Sequence, residues 1–172
     1  MPARPAHAQV DIGGEWASRT YNDLRDIGDL TGIPLTDMAR MRALTCSPEQ
    51  LDMSDNVCRP HAWDLGMRVA PSGMYVQQDM DPVTRRITSY RMHAMWAGGI
   101  TVWMDDRPEP PDCAISQSAG FNKGRWEGNT LVVETTNFLD RKDEWWADAW
   151  RAARGTTKLV ERFTRVDATT ID

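Results

Sequence analysis

His61, in CRPHAW, and His93, in MHAMW, are the side chains of this chain best suited to moving a proton near neutral pH. Asp105 and Glu161, with Glu127 beside them as a further acid, are the carboxylates that could share that work. A general acid/base pair needs reach and a suitable pKa, and no local spacing brings these residues together; each histidine could equally be a hydrogen-bonded surface or core residue. His61, His93, Asp105 and Glu161 are therefore the candidate catalytic set, for cofactor-free isomerase or hydrolase chemistry. A second constellation is aromatic and cationic. Arg107, Arg125 and Trp126 are the contacts to test first for a small, partly apolar ligand, with Trp103 and Trp96 as further wall residues. Aromatic walls with a few charged groups make up many small-molecule sites, although tryptophans also form dry cores.

Other chemistries find less support. There is no GxSxG elbow and no Ser-x-x-Lys, and Cys113 has no local histidine or helix start to lower its pKa. The glycines of AGFNKGRWEG do not lie between a strand and a helix in phosphate-loop spacing. In RMHAMW an extended strand would point His93 and Met95 to one face, as Cu(I) would require. Methionine more often fills irregular cores, and no third ligand is supplied, so neither metal nor cofactor is expected.

The elements that must position these residues are mostly strands. Gly13 to Thr20 reads as a first strand. Met74–Gln78 and Arg86–Met92 read as a hairpin turned at Asp81-Pro82, and Ile100–Met104 as a strand stopped by a proline-rich loop. Phe121–Glu127 and Thr130–Phe138 flank Gly128-Asn129, a tight-turn pair, with Gly124 as a bulge or a point of close approach. A further strand follows in TTKLVERFT, with a turn at Val166–Ala168 and the start of one more strand that the chain end cuts off. Helices are expected over Pro34–Leu44, after Ser47, and over Asp140–Gly155, where Trp146 and Trp150 share a face that could cover a barrel mouth or meet a protein partner. Short strands in up-and-down order predict an α+β, β-rich fold, an antiparallel meander forming a curled sheet or lipocalin-like barrel with a few peripheral helices.

Composition sets the frame. With 172 residues, 41% of them apolar, the chain fits one domain with a sizeable core. A net charge of -5 with no basic block argues against nucleic acid, and a mean hydropathy of -0.55 without a long apolar run argues against a membrane span. Ala6-His7-Ala8 before Gln9 has the small-x-small pattern of a signal-peptidase site. Residues 1–8 are thus expected to be the remnant of an export signal, residues 9–172 the domain, and the location periplasmic or secreted. In that oxidising setting Cys46 and Cys58 could close a loop with a disulfide worth about 3 kcal/mol; three reduced thiols are the alternative.

The segments ITVWMDDRPEPP, GFNKGRWEGNTLVVETTNF and KLVERFTRVDATTI together resemble, in order, a family of uncharacterised secreted bacterial proteins carrying a WMDGRPHP, GRWEGDTLVV and VERFRR motif series. The resemblance implies export and a β-rich fold extending beyond both ends of this sequence, without implying a reaction. Asp105, Arg107, Arg125, Trp126, Glu127 and Glu161 match its pattern, whereas Asp106 stands in place of the usual glycine and Glu109 of a frequent histidine. The expected role is binding of a small, partly apolar molecule, with the acid/base enzyme and an interaction module as the alternatives. The oligomeric state is not legible in the sequence.

Overall fold

Alternation with period two is clearest in the first long hairpin. In β2 (Met74–Met80) Met74 and Val76 are buried while Tyr75 and Gln77 are exposed; in β3 (Ile87–Ala94) Tyr90, Met92 and Ala94 are buried while Arg91 and His93 are exposed. One face therefore meets the core and the other faces out. The computed structural model describes residues 10–17, 36–37, 41, 63, 73–94, 98–111, 113–138 and 158–172. The helix expected over 140–155, Cys46, Cys58, His61 and Trp96 lie outside the described residues. Of the helix expected over 34–44, only Thr36, Asp37 and Met41 are described, the last two being helical.

The strands β1 (Gly14–Trp16), β2, β3, β4 (Ile100–Trp103), β5 (Phe121–Glu127), β6 (Thr130–Thr136) and β7 (Leu159–Thr164) form one sheet in sequence order. It curls into a half-barrel. The expected hairpin β2–β3 is present and runs longer than its sequence signal. Asp81 sets its turn: its Oδ1 accepts from the amides of Val83 and Thr84 and from the Thr84 hydroxyl, at 2.9, 2.6 and 2.9 Å. The GRWEGNT hairpin is also present, with Glu127 opposite Thr130. Only Gly128 takes a positive φ there, 62°, which suits the glycine-first two-residue turns.

One pairing departs from the expected meander. β4 and β5 are parallel, with Val102 opposite Asn122 and Trp103 opposite Lys123, while every other neighbour pair is antiparallel. Parallel neighbours need a crossover of about a dozen residues or more, and the proline-rich segment 104–120 supplies it. Gly124 explains how closely β5 can lie against β4. A Cβ there would stand 2.5 Å from Met104 Sδ and 2.7 Å from Val102 Cγ1, so this glycine marks close approach rather than a bulge.

The core fills the concave side. Met74, Val76, Met92, Ile100, Val102, Leu131, Val133 and Phe163 come from the strands, Ile12 from the lead-in to β1, and Trp63 from outside the sheet. Beyond β7 the chain turns at 167–169 and comes back, with Arg165 opposite Ile171 and Thr164 exchanging both backbone hydrogen bonds with Asp172. Arg165 then holds the turn to the lead-in to β1: Nε donates to Asp167 O at 3.0 Å, Nη2 to Ala168 O at 2.9 Å, and Nη1 to the carbonyl of Asp11.

Candidate functional site

The concave face is not wholly apolar. Asn122 and Thr135, opposite each other on β5 and β6, are buried and satisfied: Thr135 Oγ1 donates to Asn122 Oδ1 at 2.8 Å, and Asn122 Nδ2 to Ala119 O at 3.1 Å. Glu161 also faces inward, opposite Val133, and both its oxygens accept from Trp63 Nε1, at 3.0 and 2.9 Å. Tyr90 and Trp126 differ. Tyr90 is 0% exposed, and its ring meets that of Trp126 edge to face, with centroids 6.3 Å apart and planes at 72°. The phenol oxygen and the indole nitrogen are both buried and have no hydrogen-bond partner among the described residues. Burial pushes the Tyr90 phenol up to about 12; the nearby indole N–H acts against this shift and the Asp11 charge adds to it. The two polar atoms are thus near each other without forming a well-aligned hydrogen bond. Leaving such groups unpaired costs about 1–3 kcal/mol each.

The seam between β1 and β7, the two ends of the strand order, opens a cleft of about 900 Å³. Trp16, Met74 and Phe163 give it apolar wall, Arg162 and Arg165 give it charge, and the 168–172 return closes one side. Trp16 is held in place because its Nε1 donates to Ile12 O at 2.9 Å, and the Arg165 guanidinium lies 5.5 Å from its ring centroid. The cleft falls in the size range of small-molecule sites, about 300–1,000 Å³. Its floor reaches the core, since Met74 and Phe163 belong to the same apolar cluster as Tyr90.

Ion pairs among the described residues lie on the convex face. Arg107 lies over the ring of Trp103, its guanidinium carbon 3.4 Å from the centroid, and grips Asp105 through Nε and Nη2, both at 2.6 Å. The Arg107 side chain holds the Asp105 carboxyl below its ordinary value, which makes Asp105 a poor base. Arg125 pairs with Glu134 at 2.6 Å and Glu127 at 2.8 Å, Arg162 with Glu127 at 2.9 Å, and Lys158 with Glu134. At the centre of this ladder Val132 is fully buried between its register neighbours Arg125 and Arg162. His93 also faces outward, aligned with Tyr75 of β2, which in turn aligns with Glu15 of β1. Its ring lies against Gly99, where a Cβ would collide with it. A recess of about 570 Å³ adjoins Glu15, Tyr75 and His93.

The structure therefore divides both sets of candidate residues. His93 is outward on β3, Asp105 is locked to Arg107 after β4, and Glu161 is inward against Trp63, so the three do not converge on one proton. Arg125 and Trp126 are consecutive in a strand and must face opposite ways: Arg125 joins the outer ladder and Trp126 the interior. Among the described candidates only Trp103 and Arg107 meet as a pair, and Asp105 joins their stack through the Arg107 guanidinium. Sequence reasoning did not single out Tyr90, whose buried hydroxyl is unpaired among the described residues, or Arg165, which lines the cleft. The signal for Tyr90 was present, because it shares parity with Met92 and Ala94 and so carries a hydroxyl onto the apolar face. Arg165 had none, since its partners are backbone carbonyls, two in the turn just after it and one, that of Asp11, distant in sequence. Among the described residues no group of three or more His, Cys, Asp or Glu is placed to hold a metal ion, no helix is long and apolar enough to cross a membrane, and Cys113 is exposed and unlinked.

No protein-family model, no curated protein and no solved structure matches this chain.

Proposed function

We propose that this protein binds a small, partly apolar molecule in the cleft between β1 and β7. The observation that carries the reading is the cleft itself: about 900 Å³, with Trp16 and Phe163 as aromatic wall and a floor continuous with the core. Binding is favoured over acid/base catalysis because His93, Asp105 and Glu161 sit in three separate surroundings. The proposal places the protein outside the cytoplasm, in the periplasm or secreted. The Ala6-His7-Ala8 pattern and the resemblance of the three motif segments to secreted bacterial proteins support that location.

The test uses 2-ethylnaphthalene as an apolar probe, followed by ligand-observed NMR. The probe is expected to bind at one site. Trp16→Ala should weaken it by roughly tenfold or more, the scale set by losing one aromatic wall. Ala168→Trp, which places a bulky ring at the cleft rim, should weaken it as well. Binding that is indifferent to both changes would place the probe elsewhere and remove the proposal.

A further inference from the structure

Tyr90 and Trp126 pose a hydrogen-bonding deficit that no described residue resolves. An indole N–H can only donate, while a phenol donates one proton and accepts through its oxygen. If the Trp126 N–H turns onto the Tyr90 oxygen, the Tyr90 proton still lacks an acceptor; if the phenol turns away, both donors lack one. Either way the pair is short of an acceptor atom, and no described residue supplies it. Buried polar groups are seldom left so, and the exception calls for a partner beyond the described residues, water or a bound molecule being the simplest.

The surroundings restrict that partner. Tyr90 lies between Gln78 of β2 and Val102 of β4 in the sheet register and packs in the apolar cluster with Met92 and Phe163. Its phenol is protonated at physiological pH, as burial only raises its pKa further, so it has a proton to donate. A cation offers no lone pair to it, and an anion would have to lose its hydration in an apolar wall while facing the negative charge of Asp11. An uncharged oxygen acceptor fits best. Neither the Tyr90 nor the Trp126 side chain lines the cleft itself, but both belong to the core that forms its floor. Phe163, which lines the cleft, stands opposite Leu131, and Leu131 stands opposite Trp126. The backbone that carries Trp126 is thus two strand spacings from β7, about 10 Å, with the buried Leu131 between them.

We infer that the Tyr90 hydroxyl and the Trp126 indole N–H form the recognition point for an uncharged carbonyl oxygen, of a ketone, ester or amide, carried by the molecule that the β1–β7 cleft admits. This rests on the cleft being the binding site.

The experiment compares three probes on the whole chain: 2-acetylnaphthalene, 2-ethylnaphthalene, which has nearly the same shape without an acceptor, and 2-naphthoate, which has a charged one. The ketone is expected to bind roughly tenfold tighter than the hydrocarbon, the discrimination available from one hydrogen bond to a buried donor. It should also bind tighter than the carboxylate and shift the Trp126 indole proton, which the hydrocarbon should not. Tyr90→Phe, isosteric but for the hydroxyl, should reduce the ketone preference to within about twofold, the hydrogen bond being gone. Trp126→Phe checks the second donor in the same way. Equal binding of ketone and hydrocarbon to the unaltered protein, or a preference that survives Tyr90→Phe, would overturn the inference and leave water as the pair's partner. Those results leave the cleft standing, provided Trp16→Ala still weakens both probes. Failure of every probe to bind would remove the cleft reading and this inference together.

Discussion

Glu161 and Tyr90 are two inward polar residues with opposite accounts, and the difference is measurable. Glu161 satisfies the indole of Trp63, a side chain only 1% exposed. Glu161→Ala would leave that N–H buried without its acceptor, at an expected cost of about 1–3 kcal/mol, and Glu161→Gln should cost less because the amide oxygen can still accept. Tyr90→Phe in the ligand-free protein runs the other way. It removes a hydroxyl that lacks an acceptor, so stability should stay level or rise by up to about 1 kcal/mol. Urea unfolding of the three variants checks both halves; a substantial loss in Tyr90→Phe would mean that the hydroxyl is partnered in the free protein. At this scale the sequence was legible for residue type and parity but not for convergence. Glu161, His93 and Asp105 were plausible partners by chemistry, yet whether side chains meet depends on which face each strand turns inward. Arg125 and Trp126 show that adjacency in a strand rules out a shared pocket.

Elements were more legible than sites, where their pattern was local. The Asp81 turn, the Gly128 turn and the alternation of β2, β3 and β5 all follow from residues within a few positions of one another. The parallel β4–β5 pair does not, because a proline-rich crossover announces that a strand ends without saying where the next one docks. Gly124 is the residue that connects these two kinds of information. Its missing side chain is what lets Met104 and Val102 approach β5. Gly124→Ala is expected to destabilise by about 1–3 kcal/mol, as overpacking does in a tight core. Methionine is flexible, so shortening it should open room: in a Met104→Ala background the same change should cost clearly less. A thermodynamic cycle of the two substitutions measures that coupling, and strict additivity would mean that β5 is held to β4 by something other than this contact.

For the molecule as a whole, charge and burial act on opposite limbs of the pH profile. On the acid side the carboxyls of Glu134, Glu127, Asp79 and Asp105 are held below their ordinary values, through Lys158, Arg162, Arg91 and Arg107 respectively as the first cause of each. A carboxyl depressed in the folded state contributes stability above its unfolded pKa, near about 4, and loses it as pH falls through the folded value. These pairs lie on the exposed convex face, so each contributes little and salt screens it. On the alkaline side the raised Tyr90 phenol acts with the reverse sign. Its contribution is complete below about 10, the pKa of an unfolded tyrosine, and is lost as pH rises toward about 12. Thermal unfolding should therefore fall off below about pH 4 and again above about pH 10. The two limbs should respond differently to salt. Added sodium chloride at about 0.5 M, where the screening length drops well under 10 Å, is expected to flatten the acid limb and leave the alkaline limb nearly unchanged, because the latter comes from desolvation rather than from an exposed pair. Tyr90→Phe should remove much of the alkaline limb and none of the acid one. An alkaline limb that persists in Tyr90→Phe would assign it to other groups and take away the physical reason for treating this phenol as a buried, neutral donor.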